Sequence, residues 1–285
     1  MINIYKQKKI SDNLIMITES PGTDDKGVNM YVVLGEDKTL LFDSGFGVVD
    51  TLRKEIEKLS HKPIVCVLGH GHPDHAGAAG LFDTVYMNER DEVLLPISLS
   101  YERRMEDVFG HGTADEALFE YARTHIVDPG GKGFTYKNIE AGDTLSIGNA
   151  DFEVFAVPGH TQGSIILLNR TANYALISDA AGPRTALVNL PDGKRVGLTA
   201  YRNGLSKFLS AINEDTVLWS GHSNEPMPQA ILKDMEKACT QVLNGEIAND
   251  RLSCSHFARR QAASGKKMTE HDCGCVTLVY DANLL

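Results

Sequence analysis

The chain has 285 residues, 42% hydrophobic and 23% charged, with a formal net charge of -10 and an isoelectric point near 5.5. That balance suits a globular protein able to build a core without disulfide staples. An acidic surface repels a phosphate backbone, which sets nucleic acid aside as a partner, and no apolar run is long enough to span a bilayer.

In chain order, the N-terminus carries positive charge but no apolar stretch behind it, so it does not read as a secretory signal. Short β-rich runs over 14–17, 28–34 and 39–43, separated by Gly and Asp, predict strands. A helix with Val49, Leu52, Ile56 and Leu59 on one face follows, then an apolar strand over 63–68 that runs into His70. From 88 to about 128 the chain turns charged and aromatic, with helical stretches over 100–109 and 114–124; this reads as an insertion lying over one end. Strands resume over 144–147, 152–157, 164–168 and 174–177. A helix presents Tyr201, Leu205, Phe208, Leu209 and Ile212 on one face, a strand covers 217–220, and another helix aligns Ile231, Met235, Ala238 and Val242. A strand over 276–280 closes the chain. Two batches of strands, each followed by helices, predict a single α/β domain over 1–285, with two sheets face to face and helices outside.

The five cysteines, Cys66, Cys239, Cys254, Cys273 and Cys275, are an odd number without framework spacing. With no signal segment they point to a reducing, cytoplasmic setting. Cys254, Cys273 and Cys275, with His256 and His271 nearby, raise a second metal site, but C-x-C is tighter than the C-x₂₋₄-C pairs of structural zinc, and plain thiols are the preferred reading.

The strongest signal is His70-Gly-His-Pro-Asp-His75, four metal-type donors in six residues. Imidazole and carboxylate suit zinc, iron or manganese. Gly71 and Pro73 disfavour a regular helix or strand, so a loop that folds around an ion is expected here. His160 in Pro-Gly-His-Thr-Gln-Gly-Ser164, His222 in Ser-Gly-His, and Asp179 after Ile177-Ser all fall at strand ends.

This order, H-x-H-x-D-H, then PGH-T-x-G-S, then Asp at a strand end, then S-G-H, resembles the metallo-β-lactamase superfamily over about 31–222. Phe42-Asp43-Ser-Gly45 resembles its early Asp-x-Gly turn. The resemblance implies a four-layer αββα sandwich with two divalent metal ions at one edge of the sheets, most suitably zinc, with iron or manganese as alternatives. It implies that His70, His72 and His160 hold the first ion, that Asp74, His75 and His222 hold the second, that Asp179 bridges them, and that Asp43 steadies ligand orientation. The activity implied is hydrolysis of a small-molecule substrate. A hydroxide bridging the ions would attack a carbonyl, and Asp74 would orient it and move a proton to the leaving group.

Glu stands in place of His72 in the similar flavodiiron proteins, which also carry a flavin domain, and many true β-lactamases have Cys at the place of Asp179. The pattern is most similar to the glyoxalase II and lactonase branches, which cut thioesters and lactones. Ala180-Ala-Gly-Pro183 departs from the Tyr that follows the bridging Asp in the lactonases, and the C-terminal region does not show the basic glutathione pattern of glyoxalase II. A small-molecule phosphodiesterase and a non-catalytic metal-containing sensor or scaffold stay open. Arg184, just past Gly182-Pro183, is a candidate clamp for a substrate carboxylate. Tyr101, Arg103, Arg104, Phe109 and His111 in the 88–128 segment are candidates for a lid or pocket wall, against decoration or a homodimer contact.

Overall fold

A computed structural model describes residues 4–21, 27–110, 115–128, 132–187 and 195–284. His111 and Ala114 lie outside the described residues, as does the side chain of His256. The first sheet runs in chain order: β1 (Tyr5–Lys9), β2 (Leu14–Glu19), β3 (Val28–Leu34), β4 (Thr39–Phe42), β5 (Ile64–Val67), β6 (Val85–Met87) and β7 (Lys137–Asn138). Pairing is antiparallel from β1 to β4 and parallel from β4 to β7. The second sheet comprises β8 (Thr144–Ser146), β9 (Asp151–Ala156), β10 (Ile165–Asn169) and β11 (Tyr174–Ser178) in antiparallel pairing. After β12 (Arg184–Ala186), which belongs to a third sheet, β13 (Val217–Ser220) joins β11 in parallel at the second sheet's edge.

Period-two alternation sorts the strand residues into layers. Leu14, Met16, Tyr31, Val33, Leu40, Phe42, Val65 and Val67 face Phe152, Val154, Ile165, Leu167, Leu176 and Trp219 of the second sheet, forming the core between the sheets. Their sequence neighbours Ile15, Ile17, Met30, Val32, Leu41 and Cys66 face the other way. They pack under α1 (Leu52–Glu57) and, further on, α4 (Tyr101–Phe109) and α5 (Glu116–His125), which follow the single turns α2 (Pro73–Ala76) and α3 (Leu95–Ser98). Beyond the second sheet, Phe155, Ile166, Leu168, Ala175, Ile177 and Leu218 meet the helices α6 (Arg195–Ala211) and α7 (Ala230–Leu243). The three clusters are the three interfaces of an αββα sandwich.

The third sheet, in the order β12, β16 (Val276–Asp281), β15 (Met268–Cys273), β14 (Arg251–Leu252), goes beyond the two-sheet expectation. It packs on α7 through Cys273, Val276 and Leu278, and α8 (His256–Ala262) precedes β15. The Cys273–Cys275 spacing belongs to its hairpin turn, where Gly274 sits at φ 58, a conformation glycine takes without strain. Cys273 is buried and Cys275 exposed.

The turn His70–His75 is not all loop, as the sequence suggested. Pro73 opens α2 at its first position, where a missing N–H costs no hydrogen bond and the fixed φ suits a helix. Arg104 departs from the expected lid role. It is fully buried, and its guanidinium donates to the carbonyls of Phe46, Gly77, Leu99, Val127 and Asp128. Phe109 packs edge-on against Phe119, and Tyr101 packs against the helical core.

The segment after β4 is also gripped from the other side. Glu19, fully buried, accepts from Phe46 N–H, with further backbone hydrogen bonds from Gly47 and Val48. Burial pushes its carboxyl from 4.5 up to about 7, against the pull of those donors and of Arg104. The folded state therefore holds this proton more tightly than the unfolded chain. Its stabilising effect is complete below about 4.5 and is lost as pH rises towards 7, a swing of about 3 kcal/mol at ~1.4 kcal/mol per pKa unit. In thermal unfolding between pH 4.5 and 8, the native chain should lose stability relative to Glu19→Gln as pH rises. Parallel curves for the two proteins would contradict this.

Candidate metal centre

The side chains of the centre project from the carboxyl ends of β4, β5, β9, β11 and β13, where chain turns at one edge of both sheets meet. The two sheets are tied there: Ile165 N–H donates to Gly69 O at 2.9 Å, Asn29 N–H to Gly221 O at 2.7 Å, and Tyr31 Oη–H to Ser220 O at 2.7 Å.

Two groups of donors form. In the first, His70 Nε2 stands 3.1 Å from His72 Nδ1, which stands 2.9 Å from His160 Nε2. In the second, Asp74 Oδ2 lies 3.3 Å from both His75 Nε2 and His222 Nε2. Asp179 Oδ2 lies 3.1 Å from His222 Nε2, 3.6 Å from His75 Nε2 and 3.8 Å from His160 Nε2, so one carboxylate faces both groups.

The ring orientations follow from the hydrogen bonds on their far sides. Asp43 sits at φ 64, a left-handed conformation that Asp tolerates better than most residues. From there Oδ1 accepts Gly69 N–H at 2.7 Å, while Oδ2 accepts Ser178 Oγ–H at 2.7 Å and His75 Nδ1–H at 2.9 Å. Because the Ser178 proton goes to a carboxylate, its oxygen is left to accept from His70 Nδ1, 3.2 Å away. His160 Nδ1–H donates to Ala186 O at 3.1 Å. Each of these rings turns its other nitrogen inward. Ser178 was not singled out in the sequence, although it directly precedes Asp179.

A cation explains features that protein contacts alone leave open. His75 Nε2 is buried and has no hydrogen-bond partner. Three imidazole nitrogens facing one another have too few protons to satisfy all their lone pairs. Tetrahedral zinc with Zn–N near 2.0–2.1 Å would set such nitrogens roughly 3.4 Å apart, close to the spacing present. Electrostatics separates the groups. Burial and the neighbouring imidazoles hold His70 well below its usual value, and burial takes His72 down to about 3, so these two rings are neutral. In the second, burial opposes charge, but His75 and His222 keep Asp74 and Asp179 well below the carboxylate range. Asp179 foremost raises His222; His75 rises against its burial through Asp74, Asp43 and Asp179. Two anions in a buried cluster call for positive charge, from imidazolium or from bound cations. The donor set fits a pair of divalent ions.

Two clefts open onto the centre. One, of about 550 Å³, is lined by Phe46, His72, Asp74, Leu94, Ile97 and Arg103, among others. The other, of about 380 Å³, is more apolar, with Ala181, Pro183, Met227, Pro228 and Ile231 beside His222. Both reach His160, Asp179 and Arg184. Arg184 already donates to Glu270 Oε1 at 2.6 Å and Ser253 Oγ at 3.0 Å. Of the five lid candidates, Arg103 lines a cleft, paired with Asp107 at 2.6 Å. His271 lies apart from the centre, between Asp250 and Gln241.

An αββα sandwich with histidines and aspartates gathered at its strand ends defines a scaffold of the metallohydrolase type. The chain belongs to the metallo-β-lactamase superfamily, whose family description matches residues 23–222. Members are mostly hydrolases and typically bind divalent metals. Acyl-coenzyme A thioesterase MBLAC2 of Homo sapiens is 21% identical over 228 residues, covering 66% of this chain and 77% of that protein. Hydroxyacylglutathione hydrolase GloC of Haemophilus influenzae is 24% identical over 199 residues, covering 66% and 82%. Among solved structures, a β-lactamase domain protein from Burkholderia ambifaria aligns with a TM-score of 0.58 at 15% identity, covering 97% of this chain and 94% of that one. A metallo-β-lactamase from Pontibacter korlensis gives 0.55 at 16%, covering 83% and 99%. At those identities the structures speak for the fold alone. Among the described residues, no helix is long and apolar enough to cross a membrane.

Proposed function

We propose that the protein is a metal-dependent hydrolase that cleaves the acyl C–S or C–O bond of a small thioester, lactone or related ester. The observation that carries this reading is a three-imidazole group and a group with two carboxylates, joined by Asp179 and reached from two clefts. Two divalent ions held there would lower the pKa of a water towards ~7 and polarise the substrate carbonyl. His70, His72 and His160 would hold the first ion; Asp74, His75 and His222 the second; Asp179 both. Asp43 and Ser178 fix the rings behind them. Asp74 lines the larger cleft, where its carboxylate can receive a proton from the attacking water and pass it to the departing group. The clefts let the two arms of a substrate leave the scissile bond in different directions. The relatives named as an acyl-coenzyme A thioesterase and a hydroxyacylglutathione hydrolase favour thioesters over lactones.

The test is a panel of acyl-coenzyme A and S-acylglutathione thioesters, lactones, and an aryl phosphodiester, run on zinc-loaded and chelator-treated protein. Metal-dependent turnover is expected on thioesters. Turnover of the phosphodiester alone would move the reading to a phosphodiesterase. Failure of every substrate with metal bound would favour a sensor or scaffold.

A further inference from the structure

Asp91 lies on the 3₁₀ turn Glu89–Leu94, inside the segment read from sequence as an insertion, and is 1% exposed. Its Oδ2 accepts Gly71 N–H at 2.8 Å and Thr161 Oγ1–H at 2.6 Å, and its Oδ1 accepts Gly163 N–H at 2.7 Å. Gly71 stands between His70 and His72, and Thr161 directly follows His160. From this geometry we infer that Asp91 is a positioning residue: it clamps together the two loops carrying His70, His72 and His160 and so sets the spacing of their nitrogens. The inference rests on the proposal that this group holds a cation.

The chemistry of the contact is selective. Three donors ending on one side chain need two acceptor oxygens and no competing donor, which among residues of this length only Asp supplies. Asn would turn an N–H₂ towards a backbone N–H. Both glycines ease the approach, Gly163 the more strongly. A Cβ on Gly163 would stand 2.6 Å from Asp91 Cγ, and one on Gly71 would stand 3.0 Å from Asp91 Cβ. The two glycines in the histidine motifs are thus the complement of a carboxylate arriving from a third segment. Thr161 N–H also donates to Ser164 Oγ at 3.1 Å, which closes the second loop on itself. Ile165 N–H to Gly69 O joins the two loops at their base, and Asp91 ties them beside the histidines.

The test reads metal binding, so it does not depend on the substrate. Metal-stripped protein is titrated with zinc against a chromophoric chelator, and the thermal midpoint of each stripped variant reports its folding. The native chain should show two classes of site. Asp91→Asn should weaken one class by roughly 10–100-fold and leave the other at its native value, the range typical of residues that orient ligands. Thr161→Val removes one of the three donors while keeping the shape, and should weaken the same class by less. It decides the matter alone if Asp91→Asn does not fold. In a His72→Ala background, which has already lost that class, Asp91→Asn should add nothing. Native affinities in both Asp91→Asn and Thr161→Val, equal losses in both classes, or a further loss in the His72→Ala background would overturn the clamp. A native chain that takes up no zinc would instead overturn the metal centre itself, and the clamp with it.

Discussion

Asp179→Asn should hold the second cation at least 10–100-fold less tightly than the native chain, with turnover reduced by a similar or larger factor. Loss of a side chain facing both groups should cost no less than the roughly 10–100-fold typical of residues that merely orient ligands. Among the described residues, Asp179 is the one carboxylate within 4 Å of histidines from both groups, 3.8 Å from His160 and 3.1 Å from His222. Asparagine keeps the shape but removes a negative charge and one anionic oxygen. Two cations would then repel with less compensation. Excess metal should restore part of the activity, because the defect is one of affinity. Metal titration followed by steady-state kinetics on the substrate found in the panel measures both effects. A variant with native metal content and native turnover would show Asp179 to be a turn residue and remove the bridged centre.

Arg104→Met should lower stability by about 3–5 kcal/mol, the cost of stripping a buried charged group from its partners. At ~2–4 °C per kcal/mol for a chain somewhat smaller than this one, the thermal midpoint should fall by roughly 10 °C. Methionine fills much of the volume, so the cost arises from the acceptors. Carbonyls of Phe46, Gly77, Leu99, Val127 and Asp128 lose their donor, those of Gly77, Leu99 and Val127 in buried contacts. Burial pushes the guanidinium down to about 10, still above neutral pH, so the charge persists and helps hold Glu19. Circular dichroism melts of the metal-stripped proteins separate this effect from any at the centre. A midpoint unchanged within error would mean that those carbonyls find other partners. Since Arg104 and Asp91 both lie within 88–128, excising that segment would damage the core, and point changes at its cleft-facing Ile97 or Arg103 are the sounder probe of substrate contact.

The αββα core was legible because its strands alternate. Leu14, Met16, Tyr31 and Val33 take one face while Ile15, Ile17, Met30 and Val32 take the other, and helices such as 231–242 keep their apolar stripe. The seven metal-type side chains were legible as a pattern because each sits just after an apolar strand, and the structure brings them together in two groups. β15 was hidden by its polar letters. Met-Thr-Glu-His-Asp-Cys buries Glu270 against Arg184 and Arg251, and His271 against Asp250, so its strand character lies in partners distant in sequence. β1 was hidden in the same way, as an edge strand whose Lys6, Lys8 and Lys9 look outward. Asp91 and Arg104 sit in a charged stretch that reads as solvated, and nothing local marks a charge that the fold will bury. The companion signal was present in Gly71 and Gly163, whose missing side chains make room for Asp91.

The central claim is that the seven side chains hold a pair of metal ions, and elemental analysis of reconstituted, desalted protein tests it most directly. The account predicts close to two transition-metal ions per chain, zinc foremost, with iron or manganese also compatible with these donors. A reproducible value near zero would contradict it.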